Sequence, residues 1–296
     1  MVLTRGGGRY RVRTLSGDRE ASLRGRVKER DDHRVLVGDR VRLAVDGEQV
    51  TIEEVLPRHS VLQRRSPGQN KGTRHIAANL DQVIVVGSAA DPTWEPAMID
   101  RFLAVAEVNH LPVHLVINKI DLHPAWEELA APYRAVGYDV FGTSTVTGAG
   151  VDTLRQHLAG HVSLFTGPTG VGKSSLGNAV DPNLTLRTGE VSERSRAGRH
   201  TTVTAEMHPL TDGGFLVDTP GLRDIGLWGL TPPEVASAFP EIAKYAEGCK
   251  FDDCRHDTEP GCAVRAAVDT GAVAASRYTS FRRLLAEALE AARWWA

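Results

Sequence analysis

The sequence predicts a multidomain α/β protein: a small N-terminal β-barrel, a mostly parallel sheet with helices on both faces, and a helical C-terminal segment. Three observations carry that expectation. Short alternating runs broken by glycine open the chain, apolar runs alternate with amphipathic stretches through its middle, and all three cysteines fall between Cys249 and Cys262. A length of 296 residues suits about two domains at ~150 residues each and buries a core without disulfide staples. Hydrophobic residues at 41% and charged residues at 24% exclude wholesale disorder. Lys and Arg total 35 against 37 Asp and Glu, so the net charge of −2 excludes a polycation but not a local basic face. No apolar leader opens the chain and no stretch approaches the ~18 apolar residues a bilayer requires. A cytoplasmic protein without membrane contact is expected. An odd cysteine count argues for a metal site rather than a secreted disulfide scaffold.

Residues 1–75 mix basic side chains with short strands. Arg24-Gly25-Arg26-Val27-Lys28, Val35-Leu36-Val37 and Val41-Arg42-Leu43-Ala44-Val45 read as strands, and Val45-Asp46-Gly47-Glu48 as a tight hairpin turn. That pattern predicts a small barrel of the OB type. Arg58, Arg64, Arg65, Lys71 and Arg74 follow with no acidic residue among them. The plain reading is a solvated loop; the functional one is a surface for RNA phosphates.

Residues 76–228 alternate strand and helix. Val83-Ile84-Val85-Val86 is a run suited to burial on both faces, and apolar residues at Ile99, Phe102, Leu103 and Ala106 mark an amphipathic helix. Further strands are expected at 113–117, 138–141 and 162–165, which together predict the parallel sheet. Residues 229–296 flank the cysteines with helical stretches and end in a helix with Phe281, Leu284, Leu285 and Leu289 on one face.

Four motifs carry chemistry. Gly167-Pro168-Thr169-Gly170-Val171-Gly172-Lys173-Ser174 fits G-x-x-x-x-G-K-S, follows an apolar strand and opens a helix through Ser175. Its glycines let successive N–H groups face phosphates, the helix N-terminus adds its dipole, Lys173 reaches the β- and γ-phosphates and Ser174 ligates Mg²⁺. Asn118-Lys119-Ile120-Asp121 ends a strand, where the Asp121 carboxylate can accept two hydrogen bonds from guanine and is left unpaired against adenine. Alone this string is weak; in one domain with a phosphate loop it is strong. Ser144 and Thr145 follow another strand and offer backbone N–H groups to the guanine carbonyl. Asp218-Thr219-Pro220-Gly221 follows the strand 215–217, so Asp218 can hold Mg²⁺ through water and the Gly221 N–H can meet the γ-phosphate. Between them, Arg199-His200-Thr201-Thr202 reads as a switch loop in which Thr201 closes over Mg²⁺.

Cys249, Cys254, His256 and Cys262 form C-x4-C-x-H-x5-C. Three thiolates and one imidazole make a closed tetrahedral set, for which Zn²⁺ is the natural occupant in a structural role.

The motif order is unusual, because Asn118–Asp121 precedes the phosphate loop. An ordinary GTPase has the reverse order, so the domain reads as circularly permuted, which neighbouring termini allow. With the leading barrel, the permuted order, G-R-H-T-T at 198–202, D-T-P-G at 218–221 and the cysteine cluster, the chain resembles RsgA/YjeQ, the ribosome small subunit-dependent GTPases of bacteria. The resemblance implies GTP hydrolysis in late maturation of the 30S subunit, with GTP, GDP, the subunit and its 16S rRNA as partners and zinc at the four residues above. Arg194-Ser195-Arg196-Ala197 departs from the glycine-rich run expected of the family. The expected units are an OB-fold at 1–75, a permuted GTPase domain at 76–228 and a zinc-binding helical domain at 229–296, in a monomer. The last unit leaves the core just after the second switch, a route for nucleotide state to reposition it. Leu222 stands where a Ras-type GTPase carries its water-orienting Gln, so His200 and Arg199 are the candidate catalytic groups.

Overall fold

The computed structural model describes residues 1–23, 34–65, 73–187, 205–218 and 230–293. The chain opens with β1 (Val2–Gly6), β2 (Arg9–Thr14) and β3 (Gly17–Leu23), then β4 (Val41–Asp46) and β5 (Gln49–Val55). They form one sheet in the order β1-β2-β3-β5-β4, antiparallel except for β3 beside β5. Alternation sets its faces: Tyr10 and Val12 turn inward while Arg9 and Arg11 are exposed. Val2, Val12, Ala21, Val35, Val50 and Ile52 make the core of this unit. The hairpin expected at residues 45–48 joins β4 to β5, with Gly47 at φ 58°.

One expected strand is not formed. Val35, Leu36 and Val37 are buried, yet only Val37 makes a single bridge, to Ala77. The Leu36 N–H donates to Asp39 Oδ2 at 2.7 Å and Gly38 takes a φ of 90°, so the run is a buried turn. The strand expected at residues 24–28 lies outside the described residues. A second correction concerns the basic stretch read as a loop: β6 (Val61–Arg65) and β7 (Thr73–Ala78) pair as an antiparallel ribbon with Arg64 opposite Arg74. The ribbon leads directly into the central sheet.

That sheet has six strands in the order β10-β9-β8-β11-β13-β12. They are β8 (Gln82–Ser88), β9 (Val113–Asn118), β10 (Val140–Thr143), β11 (Val162–Thr166), β12 (Glu206–Pro209) and β13 (Phe215–Asp218), all parallel except β12. The strand expected at 138–141 begins two residues late, because the Tyr138 N–H donates to Tyr133 O at 3.2 Å and so still closes the end of α2. Period-two alternation splits β8 between two cores: Val83 and Val85 join one, Ile84 and Val86 the other. The first packs against α1 (Pro96–Val108) and α2 (Trp126–Arg134), the second against α3 (Val151–Leu158) and α4 (Lys173–Val180). Helices therefore cover both faces, as the apolar run predicts.

Helices α5 (Pro232–Ser237), α6 (Pro240–Ala246), α7 (Ala263–Asp269) and α8 (Ala275–Arg293) complete the chain. Phe239, Val264, Phe281 and Leu284 form their core, which Ala104 of α1 joins from the central unit. Ion pairs Arg277–Asp100, Arg101–Glu287 and Arg283–Glu95 fix α8 along α1. Among the described residues no helix is long and apolar enough to cross a membrane.

Candidate nucleotide site and metal centre

The carboxyl ends of β9, β10, β11 and β13 converge at one edge of the sheet, where Asn118, Ser144, Gly167 and Asp218 lie at or just after the strand ends. Ligands of open parallel sheets bind at that edge because helix N-termini and loops gather there. The phosphate loop runs from β11 into α4, and its glycines are required by geometry. Gly167 has φ 135°, and a Cβ on it would lie 2.1 Å from Val86 O. Gly172 has φ 93°, with its would-be Cβ 2.6 Å from Asn118 Nδ2. Lys173 donates to Gly167 O at 2.7 Å and Pro168 O at 2.5 Å, which holds its ammonium over the loop. Ser174 and Ser175 occupy the first turn of α4, while Val171 packs into the core.

Asn118 ties the base reader to this loop. Only 1% exposed, it donates from Nδ2 to Val171 O at 2.9 Å and accepts at Oδ1 from Thr143 Oγ1 at 3.0 Å. Lys119, in the left-handed region at φ 60°, donates to Gly170 O at 3.0 Å and to Asp91 O. The short turn Ile120–Leu122 leaves the Asp121 carboxylate exposed. Two residues of the motif thus build the pocket and the third presents its oxygens. Ser144 is buried and engaged within its own loop: its N–H donates to Ala149 O at 2.9 Å, and its hydroxyl accepts from Val146 and Thr147 N–H groups at 3.3 and 3.2 Å. The Ser144 backbone and hydroxyl are thus engaged within the loop, and Thr145 beside it is half-exposed.

Asp218 closes β13 in register with Phe165 of β11, which sets it beside the phosphate loop. Arg199, His200, Thr201, Thr202 and Gly221 lie outside the described residues. Sequence reasoning passed over the turn at 89–95, which reaches both Lys119 and the phosphate loop. Its Asp91-Pro92 dipeptide just after a strand was the available signal.

The four expected metal ligands, Cys249, Cys254, His256 and Cys262, meet in the C-terminal unit. Their donor atoms lie within 4.8 Å of one another. His256 Nδ1 is 3.5 Å from both Cys249 Sγ and Cys262 Sγ, and those sulfurs are 3.9 Å apart. A zinc tetrahedron with bonds of about 2.3 Å to sulfur and about 2.0 Å to nitrogen has edges of about 3.8 and 3.5 Å. The donor set fits zinc. Burial, with the neighbouring sulfurs adding, pushes the Cys254 thiol up to about 12, so three thiolates need a cation among them. Burial also lowers the His256 pKa and keeps its imidazole neutral for ligation. The loop is braced from outside: Glu259 accepts from the Arg255 and Asp257 N–H groups at 3.1 and 2.7 Å, and Tyr278 donates to His256 O at 2.6 Å. Backbone donors, its own N–H first, hold the Glu259 carboxyl down to about 2.

The basic residues divide. Arg58 donates to both oxygens of Asp39, at 2.7 and 2.9 Å, and to Arg34 O at 2.9 Å. With Asp39 fully buried and Arg58 largely so, this cation satisfies a buried carboxylate. Arg64, Arg65 and Arg74 sit on the ribbon strands, and Lys71 lies outside the described residues.

Comparison with known proteins agrees with this geometry. The family model for the RsgA GTPase matches residues 55–228. A small ribosomal subunit biogenesis GTPase RsgA of Gemmatimonas aurantiaca is 49% identical over 287 residues, covering 94% of this chain and 93% of the relative. Its counterpart from Bacteroides fragilis strain YCH46 is 40% identical over 295 residues, covering 96% and 95%. The crystal structure of YjeQ from Thermotoga maritima superposes with a TM-score of 0.81 at 34% identity, over 98% of this chain and 97% of that one. That of YloQ, a circularly permuted GTPase, does so with a TM-score of 0.73 at 26% identity, over 98% and 94%. The chain belongs to the RsgA GTPase family.

Proposed function

We propose that this GTPase acts in biogenesis of the small ribosomal subunit, binding 30S particles through 16S rRNA in a nucleotide-dependent way and hydrolysing GTP faster when bound. The observation that carries the reading is the meeting of a complete phosphate loop, a guanine reader tied to it through Asn118 and a Cys3His cluster in one chain. The names of the relatives above support the choice of subunit.

Each residue has a role. Gly167 to Gly172, with Ser175 behind them, form the cradle for the phosphates, and Lys173 neutralises charge on the β- and γ-positions. Ser174, Thr201 and Asp218 hold Mg²⁺, which supplies charge neutralisation at the transferring phosphoryl group. Asp121 recognises the guanine edge and Thr145 its carbonyl. Gly221 offers its N–H to the γ-phosphate. Leu222 has no hydrogen-bonding group, so His200, with Arg199 and Thr202 beside it, positions the attacking water on the bound subunit. The Cys249, Cys254, His256 and Cys262 set holds one structural zinc, with no coordination position left for catalysis. Arg64, Arg65, Lys71 and Arg74 contact the rRNA backbone, and the chain works as a cytoplasmic monomer.

Multiple-turnover phosphate release with 30S subunits, with 50S subunits and with neither tests the reading. Stimulation confined to 30S is expected, of ~10²-fold or more, within what one positioned group supplies. His200→Ala should keep GTP affinity and lose most of the stimulated rate. Stimulation by 50S alone, or none by either, refutes the assignment of the subunit.

A further inference from the structure

We infer that Ser88 is a positioning residue for the nucleotide, acting through the Asp91 carbonyl on Lys119. This rests on the reading of the phosphate loop and Asn118–Asp121 as the GTP site. Ser88 ends β8 and stands in register with Asn118 at the end of β9. It is 3% exposed, and its hydroxyl donates to Asp91 O at 2.9 Å. The same carbonyl accepts from Lys119 Nζ, which also donates to Gly170 O at 3.0 Å. A carbonyl oxygen has two lone pairs, and here both are used.

The ammonium therefore bridges the 89–95 turn and the phosphate loop, and the turn is fixed from both ends. At its start, the Ala89 N–H donates to Asn118 O at 2.8 Å. At its far end, Trp94 packs so closely over Gly87 that a Cβ there would lie 2.5 Å from the indole, and it meets Tyr133 edge-on at 5.9 Å. Pro92 lies 3.5 Å from the place a Cβ on Gly170 would take. The Ser88 hydroxyl is the side-chain donor that holds the Asp91 carbonyl from the β8 side, opposite Lys119. Lysine is a flexible point charge on a long stem, so a fixed acceptor decides where that charge rests. With the carbonyl held, Lys119 is committed to the loop before nucleotide arrives. Without it, binding has to order the side chain as well.

The test measures GDP and GTP affinity with a fluorescent nucleotide, and KM and kcat, for the full chain. Ser88→Ala should weaken binding about fivefold, the equivalent of one net hydrogen bond of ~1 kcal/mol, and raise KM with kcat held. Ser88→Thr, which keeps the hydroxyl, should restore affinity. In a Lys119→Ala background Ser88→Ala should cost nothing further. The near-isosteric Ser88→Cys serves if the alanine variant does not fold. Equal loss in both backgrounds, or none in either, overturns the inference. If the unaltered protein binds no guanine nucleotide, the underlying site assignment fails instead.

Discussion

Removing the Arg277 guanidinium should uncouple the C-terminal helices from α1. The side chain is 1% exposed and donates to Asp100 Oδ1 at 2.6 Å and to Glu241 at 2.7 and 3.2 Å. It also lies over the Phe239 ring at 4.6 Å and the Tyr133 ring at 5.4 Å. Burial alone would lower its pKa, but Asp100 and Glu241 outweigh that and hold it above the ordinary value. Arg277→Met keeps much of the volume and strands two buried carboxylates. Breaking a buried pair from one side costs about 3–5 kcal/mol, because the remaining charge has no partner. Burial pushes the Asp100 carboxyl up already, and the variant loses the Arg277 charge that opposes it most, leaving only the hydrogen bonds of Ser280 and Tyr133. Its folded-state pKa then lies above the unfolded one, so the deficit is full above the folded-state pKa and shrinks as pH falls through it toward the unfolded carboxylate range. Neutralising both partners, with Asp100→Asn and Glu241→Gln, should recover more than half of the loss. Urea titration and limited proteolysis of the 230–293 region, with and without the compensating changes, measure this. A cost below about 1 kcal/mol, typical of exposed pairs, would refute the reasoning.

Two further outcomes are expected. Asp121→Asn turns half of the paired acceptor into a donor, so GTP affinity should fall and xanthine nucleotides gain relative to it; comparing GTP, ATP and XTP affinities decides the point, and unchanged GTP binding removes Asp121 from the base pocket. Chelation or Cys254→Ser should loosen the loop between Cys249 and Cys262 and abolish subunit binding while GTP binding survives, since metal affinity is folding energy for such a loop; elemental analysis should return about one zinc per chain in untreated protein.

The central sheet was legible because its strands are buried on both faces and read as unbroken apolar runs, with motifs pinned to their carboxyl ends. The Cys3His cluster was legible from spacing alone. The first three strands are less legible: Arg9-Tyr10-Arg11-Val12-Arg13 alternates strictly, but the flanking β1 and β3 bury residues at one end only, without period-two alternation. Val35-Leu36-Val37 misled in the opposite sense: three apolar residues are buried here by a turn that Asp39 closes. Burial and strand formation are separate outcomes, and a short apolar run cannot distinguish them. Pairings distant in sequence, such as Arg58 with Asp39 or Arg277 with Asp100, leave no local periodicity. They emerge only when the fold brings the partners together.

The docking of α8 on α1 also bears on how nucleotide state is read out. Chain order alone suggests that the C-terminal unit, leaving the core after Asp218, swings with the γ-phosphate loop. The contacts argue otherwise. Helix α1 is bound along its length: the Glu95, Asp100 and Arg101 side chains hold α8, and at its other end Asn109 exchanges hydrogen bonds of 3.0 and 3.3 Å with the backbone of Gln63 on the β6–β7 ribbon. A ligand shifts a conformational equilibrium only by its difference in affinity for the two states. Separating α8 from α1 would uncover the Arg277, Asp100 and Glu241 side chains together with the apolar core that Ala104 shares with the C-terminal helices, and nucleotide would have to favour the separated state by more than that contact contributes. Nucleotide state should therefore be read at the carboxyl edge of the sheet while ribbon, α1 and α8 move as one body. The proteolysis comparison, repeated with GDP and with a GTP analogue, measures this directly: equal protection of α8 in both states is the expected result, and selective cleavage in one of them would restore the swinging unit.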